Sequence, residues 1–251
     1  MITYTLLRIV ILPAMRLDVS IFGIFIEINI DTQFIMLVLA AMLTAAGADW
    51  LIRSHPDFQD NGTTARHWII PGLAAMGAGA ILSGIPEGPA LWIGLPVTSI
   101  MLMAILIAEF VVHDPRDTRR RPAGVILTGL SYLLLLGVFY VIQAASLRAA
   151  FAVPIGFVAS TAVVWRLLNL TQPRKPVLVY AAAIGGCIAE LVWALHYWPM
   201  SPLQSALFIS VAAYAGNSIA DAVIGETLNR SRWVELGLVT SLAMAAVLFL
   251  T

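Results

Sequence analysis

Apolar stretches of about the length needed to cross a membrane recur along this chain, and short segments between them hold most of the charged residues. A transmembrane helix needs about 20 mainly apolar residues. Eight stretches meet this requirement: 32–53, 67–85, 89–112, 122–143, 150–169, 176–197, 202–225 and 233–250. The pattern therefore predicts an all-α fold, a polytopic transmembrane helix bundle of about eight spans over residues 32–251.

Residues 1–31 are predicted to form a separate N-terminal segment. Charged residues and a proline interrupt the apolar residues too often for a lipid-facing helix: Arg8, Pro13, Arg16 and Asp18. From Leu17 to Ile30 apolar residues alternate with others about a central Gly23, which favours a short β-hairpin outside the hydrocarbon. The alternative is an interfacial helix over residues 2–15, and the two can coexist.

The composition supports a membrane location. The chain is 60% hydrophobic and 11% charged, with a mean hydropathy of +0.91, whereas soluble domains have about 25% charged residues. Membrane lipids are therefore the predicted surroundings. The formal net charge is zero, so no basic surface indicates a nucleic-acid partner. The single cysteine, Cys187, excludes an internal disulfide and a cysteine-rich metal site.

The distribution of basic residues predicts the orientation in the membrane. Of the 14 lysines and arginines, 11 follow the first, third, fifth and seventh spans: Arg53, Arg66, Arg116, Arg119, Arg120, Arg121, Arg166, Arg174, Lys175, Arg230 and Arg232. The remaining three lie on the other side. Basic residues concentrate in cytoplasmic loops, so these four connections are predicted to be cytoplasmic and both termini to lie outside.

Polar residues inside the spans are the candidate functional residues. The seventh span has one polar face formed by Ser210, Tyr214, Asn217, Ser218 and Asp221. Unpaired polar groups are costly in hydrocarbon, so this face should point into the bundle or a cavity. Three acids inside the spans complete the candidates for a substrate or ion pathway: Asp49, Glu109 and Glu190. One interpretation places them with the polar face in a single inward-facing pocket.

Structural interpretations of the same residues stay open. Membrane helices use Asn, Ser and Asp as hydrogen-bonding contacts between helices, so the polar face of the seventh span also suits a purely structural network. Asp49 with Arg53 and Glu109 with His113 have the four-residue spacing of ion pairs on one helix. No metal site is predicted, and the pattern specifies no cofactor.

The run Asn217-Ser218-Ile219-Ala220-Asp221 resembles the Asn-Asp-x-x-Asp motif of the aromatic prenyltransferases, which hold magnesium and a lipid diphosphate at the inner membrane face. Ser218 stands where that family has its second acid, and Gly225 stands where it has a later aspartate. The resemblance implies a lipid-modifying membrane enzyme, with fewer carboxylate ligands than magnesium chemistry needs.

The run from Gly47 to Pro56, after an N-terminal hairpin, resembles an uncharacterised family of bacterial multi-pass membrane proteins. This resemblance implies the bacterial inner membrane and brings no activity. The leading functional prediction is an accessory or structural subunit that contacts other membrane subunits. The alternatives are a small transporter or permeation protein that uses intramembrane acids, and a lipid-modifying enzyme.

Overall fold

The computed structural model describes residues 15–21, 24–30, 32–55, 64–114, 117–173, 175–227 and 230–248. Strands β1 (Met15–Ile21) and β2 (Ile24–Ile30) pair in antiparallel register, with Ile21 opposite Ile24 and Met15 opposite Ile30. The predicted N-terminal hairpin is therefore confirmed. The alternative interfacial helix over residues 2–15 lies outside the described residues except for Met15, which is the first residue of β1.

In the described residues, eight α-helices follow the hairpin, and each corresponds to one predicted span. They are α1 (Thr32–Arg53), α2 (Ile69–Gly84), α3 (Pro89–His113), α4 (Arg120–Ala144), α5 (Ala149–Thr171), α6 (Leu178–His196), α7 (Pro202–Ile224) and α8 (Arg230–Leu248). A short 3-10 helix, Ala65–His67, precedes α2. The predicted all-α helical bundle is confirmed.

Among the described residues, seven helical segments are long and apolar enough to cross a membrane, the second of them running from Ala65 to Gly84. They correspond to the first seven predicted spans. In α8 the apolar part is shorter, Leu236–Val247, because charged residues occupy its first turns. Twelve helical residues extend about 18 Å, against a hydrocarbon thickness of about 30 Å. That α8 crosses the membrane stays a prediction.

Local sequence explains several helix ends. Ser201 accepts a hydrogen bond from the backbone N–H of Gln204, whose side chain accepts from the Ser201 N–H, and Pro202 is the first residue of α7. This capping box satisfies two amide donors that a helix start leaves without partners. Proline also begins α3 at Pro89, where a helix has no need of an amide donor.

The described helices form two compact units, residues 1–114 and 115–251. In the first unit α1 packs against α2 and α3, and α2 packs against α3. In the second unit α5 and α6 form the most extensive pair, α7 packs against α4, α5 and α6, and α8 packs against α7. The predicted domain boundary at residue 31 stays a prediction.

Small residues let α5 and α6 approach closely. A Cβ atom added to Gly185 would collide with Oγ1 of Thr161 and lie 3.2 Å from the Phe157 carbonyl oxygen. One added to Gly156 would lie 3.2 Å from Val192. Membrane helices associate through such small residues, because lipid offers no hydrophobic driving force for helix packing. The same face of α6 contributes buried Ala181, within an apolar cluster with α5 and α7.

Candidate functional site

The residues predicted to form a functional site are divided between the two compact units. Asp49 and Glu109 lie in the first unit, and the other five lie in the second: Glu190, Tyr214, Asn217, Ser218 and Asp221. Their contacts are therefore described for each unit separately. A single pocket shared by all seven stays a prediction.

In the first unit, Glu109 on α3 is fully buried and contacts a histidine. Its Oε2 lies 2.7 Å from Nδ1 of His67, and the exposed fractions of the two side chains are 1% and 4%. Nε of Arg66 donates a hydrogen bond to Nε2 of His67 over 3.3 Å. Because Nε2 accepts, the ring proton of His67 lies on Nδ1 and is donated to Glu109. The carboxylate charge of Glu109 is therefore linked through His67 to the guanidinium charge of Arg66.

Asp49, near the end of α1, has partners from its own helix and from the segment before α2. Nε of Arg53 donates to its Oδ2 over 2.7 Å, so the predicted four-residue ion pair is confirmed. The Thr64 hydroxyl and Nε1 of Trp68 donate to its Oδ1. Asp49 therefore connects the end of the first span to the start of the second through hydrogen bonds.

Three histidines gather around the Glu109 site, and sequence reasoning left them out of the candidate set. The His113 ring centroid lies 5.1 Å from that of His55 and 5.4 Å from that of His67. His55 also contacts the Phe110 ring at 4.5 Å. One sequence signal was available: three of the four histidines lie beside the ends of the first three spans on the predicted cytoplasmic side.

In the second unit, only some of the polar side chains on α7 have hydrogen-bond partners. Asp221 accepts a hydrogen bond from Nε2 of Gln172 over 3.1 Å, and the Tyr214 ring contacts the Tyr132 ring of α4 at a centroid distance of 5.7 Å. Ser218 is half-buried. In the described part of the chain, Asn217 Oδ1 is buried without a hydrogen-bond partner.

Two further buried oxygens, one on α7 and one on the neighbouring α4, also lack hydrogen-bond partners. They are the Ser210 hydroxyl and the Tyr132 hydroxyl, judged against the described residues. The Tyr132 hydroxyl nevertheless lies beside the Asn217 side chain, within reach of a hydrogen bond, and within electrostatic reach of Asp221. A structural network between helices would pair these groups. The polar face is thus built of groups that the described helices bring together but do not fully satisfy.

A cavity of about 290 Å³ lies beside this face, between α4, α7 and α8. Its lining residues are Tyr132, Leu207, Ser210, Val211, Tyr214, Val239, Thr240 and Ala243. Two of the unpartnered hydroxyls, those of Tyr132 and Ser210, belong to this lining. The acids Glu190 and Asp221 do not belong to it.

Glu190 lies on the exposed side of α6. The buried residues Gly185, Ile188 and Val192 occupy the other side. Cys187, one turn earlier than Glu190, is exposed too. In the part of the chain that the structure describes, no hydrogen bond or ion pair involves the Glu190 carboxyl. The structure therefore does not unite Glu190 with the polar face of α7.

The structure corrects the sequence interpretation of Arg166. It was counted among the cytoplasmic loop charges, but it lies inside α5 and is only 1% exposed. Ten basic residues then remain on the predicted cytoplasmic side against three on the other, so the bias persists. A buried arginine stays charged. The apolar residues around Arg166 in the sequence did not by themselves indicate that its side chain is buried.

The seven long apolar helices found in the described part of the chain define a multi-pass helical membrane protein. A family model described as "Protein of unknown function (DUF5656)" matches residues 12–250. The chain belongs to this uncharacterised family. No curated protein and no solved structure matches it.

Proposed function

We propose that this protein is an accessory subunit of a bacterial inner-membrane assembly, and that α6 binds a transmembrane helix of a partner protein through Glu190. The partner helix carries a basic or amide side chain at the same depth. The observation that carries the proposal is the exposed position of Glu190 close to the middle of a membrane-spanning helix.

The depth of Glu190 makes an uncovered carboxyl costly. The midpoint of α6 (Leu178–His196) is Cys187, and three further residues place Glu190 about 4.5 Å from that midpoint along the helix. A charged side chain at a helix centre costs about 2.5–3.5 kcal/mol on insertion scales. A hydrogen-bond donor on an adjacent helix removes much of this cost.

The surroundings of Glu190 suit a second helix. The exposed side of α6 includes small residues one or two turns from the carboxyl, namely Ala183, Cys187 and Ala194. Small residues allow two helix backbones to approach closely in a membrane. A second copy of this chain would bring two carboxyl groups together, whereas a base or an amide donor complements the carboxyl. Charge complementarity therefore favours a different protein as the partner.

The other two functional hypotheses receive less support from the geometry. A transporter that uses Glu190 or Asp221 needs a water-accessible path to either acid, and the cavity beside α7 is lined by other residues. A lipid-modifying enzyme needs carboxylates grouped near a basic loop, whereas Asp221 is engaged by Gln172. Both remain alternatives.

Site-specific photo-crosslinking in intact membranes tests the proposal. A photoreactive amino acid at Ala194, one turn beyond Glu190 on the exposed side, should give a discrete adduct heavier than the chain. The same group at Val125 of α4, which is 73% exposed, is the control for lipid-facing positions. The adduct should persist in Glu190→Gln, which keeps a hydrogen-bond acceptor, and disappear in Glu190→Leu.

Three results would contradict the proposal. They are an adduct that is insensitive to Glu190→Leu, an adduct with the mass of two copies of this chain, and a crosslink within one chain. Melting temperatures in detergent establish that the variants fold. Once the partner is identified by mass spectrometry, exchanging the charges, with Glu190→Lys opposite an acid at the partner's basic position, should restore the adduct.

A further inference from the structure

Both ring nitrogens of His67 form hydrogen bonds to charged side chains. Nδ1 lies 2.7 Å from Oε2 of Glu109, and Nε2 accepts a hydrogen bond from Nε of Arg66 over 3.3 Å. The side chains of His67 and Glu109 are only 4% and 1% exposed, so their contact is shielded from water. A neutral ring with its proton on Nδ1 satisfies both hydrogen bonds.

A second proton on this ring competes with Arg66 for one nitrogen. An imidazole nitrogen that accepts a hydrogen bond uses the same lone pair to bind a proton. A second proton on His67 therefore occupies Nε2 and makes it an N–H group that faces the N–H group of Arg66. Two donors cannot form a hydrogen bond, and both groups are then positively charged. Proton binding and the Arg66–His67 hydrogen bond are therefore mutually exclusive.

Charges around His67 act in opposite directions on the second proton. The carboxylate of Glu109 favours a charged ring, whereas the guanidinium of Arg66 disfavours it. The ring centroid of His113 lies 5.4 Å from that of His67 and 5.1 Å from that of His55, so a proton on either neighbouring ring also disfavours one on His67. The other ionisable groups at the same ends of the described helices α1 and α3 are Asp49, Arg53 and Asp114.

Hydrogen bonds on both sides of Arg66 hold the backbone around it. The Thr64 hydroxyl and Nε1 of Trp68 both donate to Asp49, and the 3-10 helix Ala65–His67 lies between these two donors. Arg66 itself is half-buried. Loss of its hydrogen bond to His67 therefore displaces the side chain of Arg66 and leaves the connection between the first two spans in place.

We infer that His67 is a proton-binding site at the predicted cytoplasmic ends of the first three spans, and that its second proton displaces the Arg66 side chain. Histidine is the side chain that ordinarily changes its charge between pH 5 and 8. Above this range the neutral ring accepts from Arg66. Below it the charged ring pairs with Glu109 and repels Arg66 toward the membrane surface. This site is independent of the contact proposed for Glu190.

The pH dependence of one substitution tests the inference. Arg66→Met removes both the donor to Nε2 and the guanidinium charge. Because this hydrogen bond exists only with the neutral ring, Arg66→Met should lower the melting temperature more at pH 8 than at pH 5, by about 1–6 °C. Arg53→Met is the matched control. Its partner Asp49 is a carboxylate at both pH values, so its effect should be the same at both.

Nitrogen-15 NMR of the wild-type protein gives the proton positions directly. The chain has four histidines, and the His67→Gln variant identifies the signals of His67. In the purified protein labelled at histidine, the His67 ring should carry a proton on Nδ1 alone at pH 8 and on both nitrogens at pH 5. This measurement needs no variant of Arg66 to fold.

Three results would overturn the inference. A ring that is doubly protonated at pH 8 would make His67 a permanent ion-pair partner of Glu109. A ring that is still neutral at pH 5 would show that the site does not bind the proton. An effect of Arg66→Met that is equal at the two pH values would show that Arg66 and the proton do not compete.

Discussion

The buried contact between His67 and Glu109 gives the sharpest prediction for stability. Replacing Glu109 with leucine leaves the Nδ1 proton of His67 without the acceptor at 2.7 Å and removes the negative charge linked to Arg66. Leaving a buried hydrogen-bond donor without its acceptor costs about 1–3 kcal/mol. With about 2–4 °C per kcal/mol for a chain of this size, the melting temperature should fall by roughly 2–12 °C.

The ion pair between Asp49 and Arg53 is a matched control within the same unit. The Arg53 side chain is 53% exposed and that of Asp49 is 22% exposed, and exposed pairs contribute about 0–1 kcal/mol. Arg53→Ala should therefore lower the melting temperature by no more than about 4 °C. The measurement is thermal unfolding of the purified variants in one detergent.

A double substitution separates the pair from the rest of the packing. His67→Phe together with Glu109→Leu removes both polar partners, and replacing a buried pair with apolar residues is often neutral. The double variant should be more stable than Glu109→Leu alone, with a coupling of about 0.5–3 kcal/mol. Simple additivity of the two substitutions, or a Glu109→Leu variant no less stable than Arg53→Ala, would contradict this coupling.

The remaining predictions concern packing, the acid of α7 and orientation. Gly185→Ala should destabilise the protein by about 1–3 kcal/mol, because its Cβ would overpack against α5. Gly186→Ala, with open space around its Cβ, is the control and should not destabilise it. Equal melting temperatures of the two variants would contradict the close packing of α6 on α5. Asp221→Asn should retain stability. Asp221→Leu should lose about 1–3 kcal/mol, because the Gln172 amide that donates to Asp221 loses its acceptor. Equal stability of the two variants would show that this hydrogen bond is unimportant. In a chain without its native cysteine, a membrane-impermeant maleimide applied from the cytoplasmic side should modify a cysteine at Ser54 and not one at Glu87, and modification of both would refute the topology.

The pattern of apolar residues by itself determined where the helices lie. Seven predicted spans correspond to helices of membrane-crossing length, because a run of about 20 apolar residues is a local property of the chain. The N-terminal hairpin was equally local, since the alternation from Leu17 to Ile30 is the pattern of paired strands. The ion pair of Asp49 with Arg53 required only helix periodicity.

Only the tertiary structure decided which polar side chains meet. Glu109 contacts His67, 42 residues earlier in the chain, and Asp221 contacts Gln172, 49 residues earlier. Arg166 is buried although its position resembled the end of a span. The physical reason is that a membrane helix is apolar on nearly every side, so its sequence has no distinct apolar stripe to mark the face that packs. Close approach of small residues and satisfaction of polar groups select the neighbours, and both depend on helices distant in sequence.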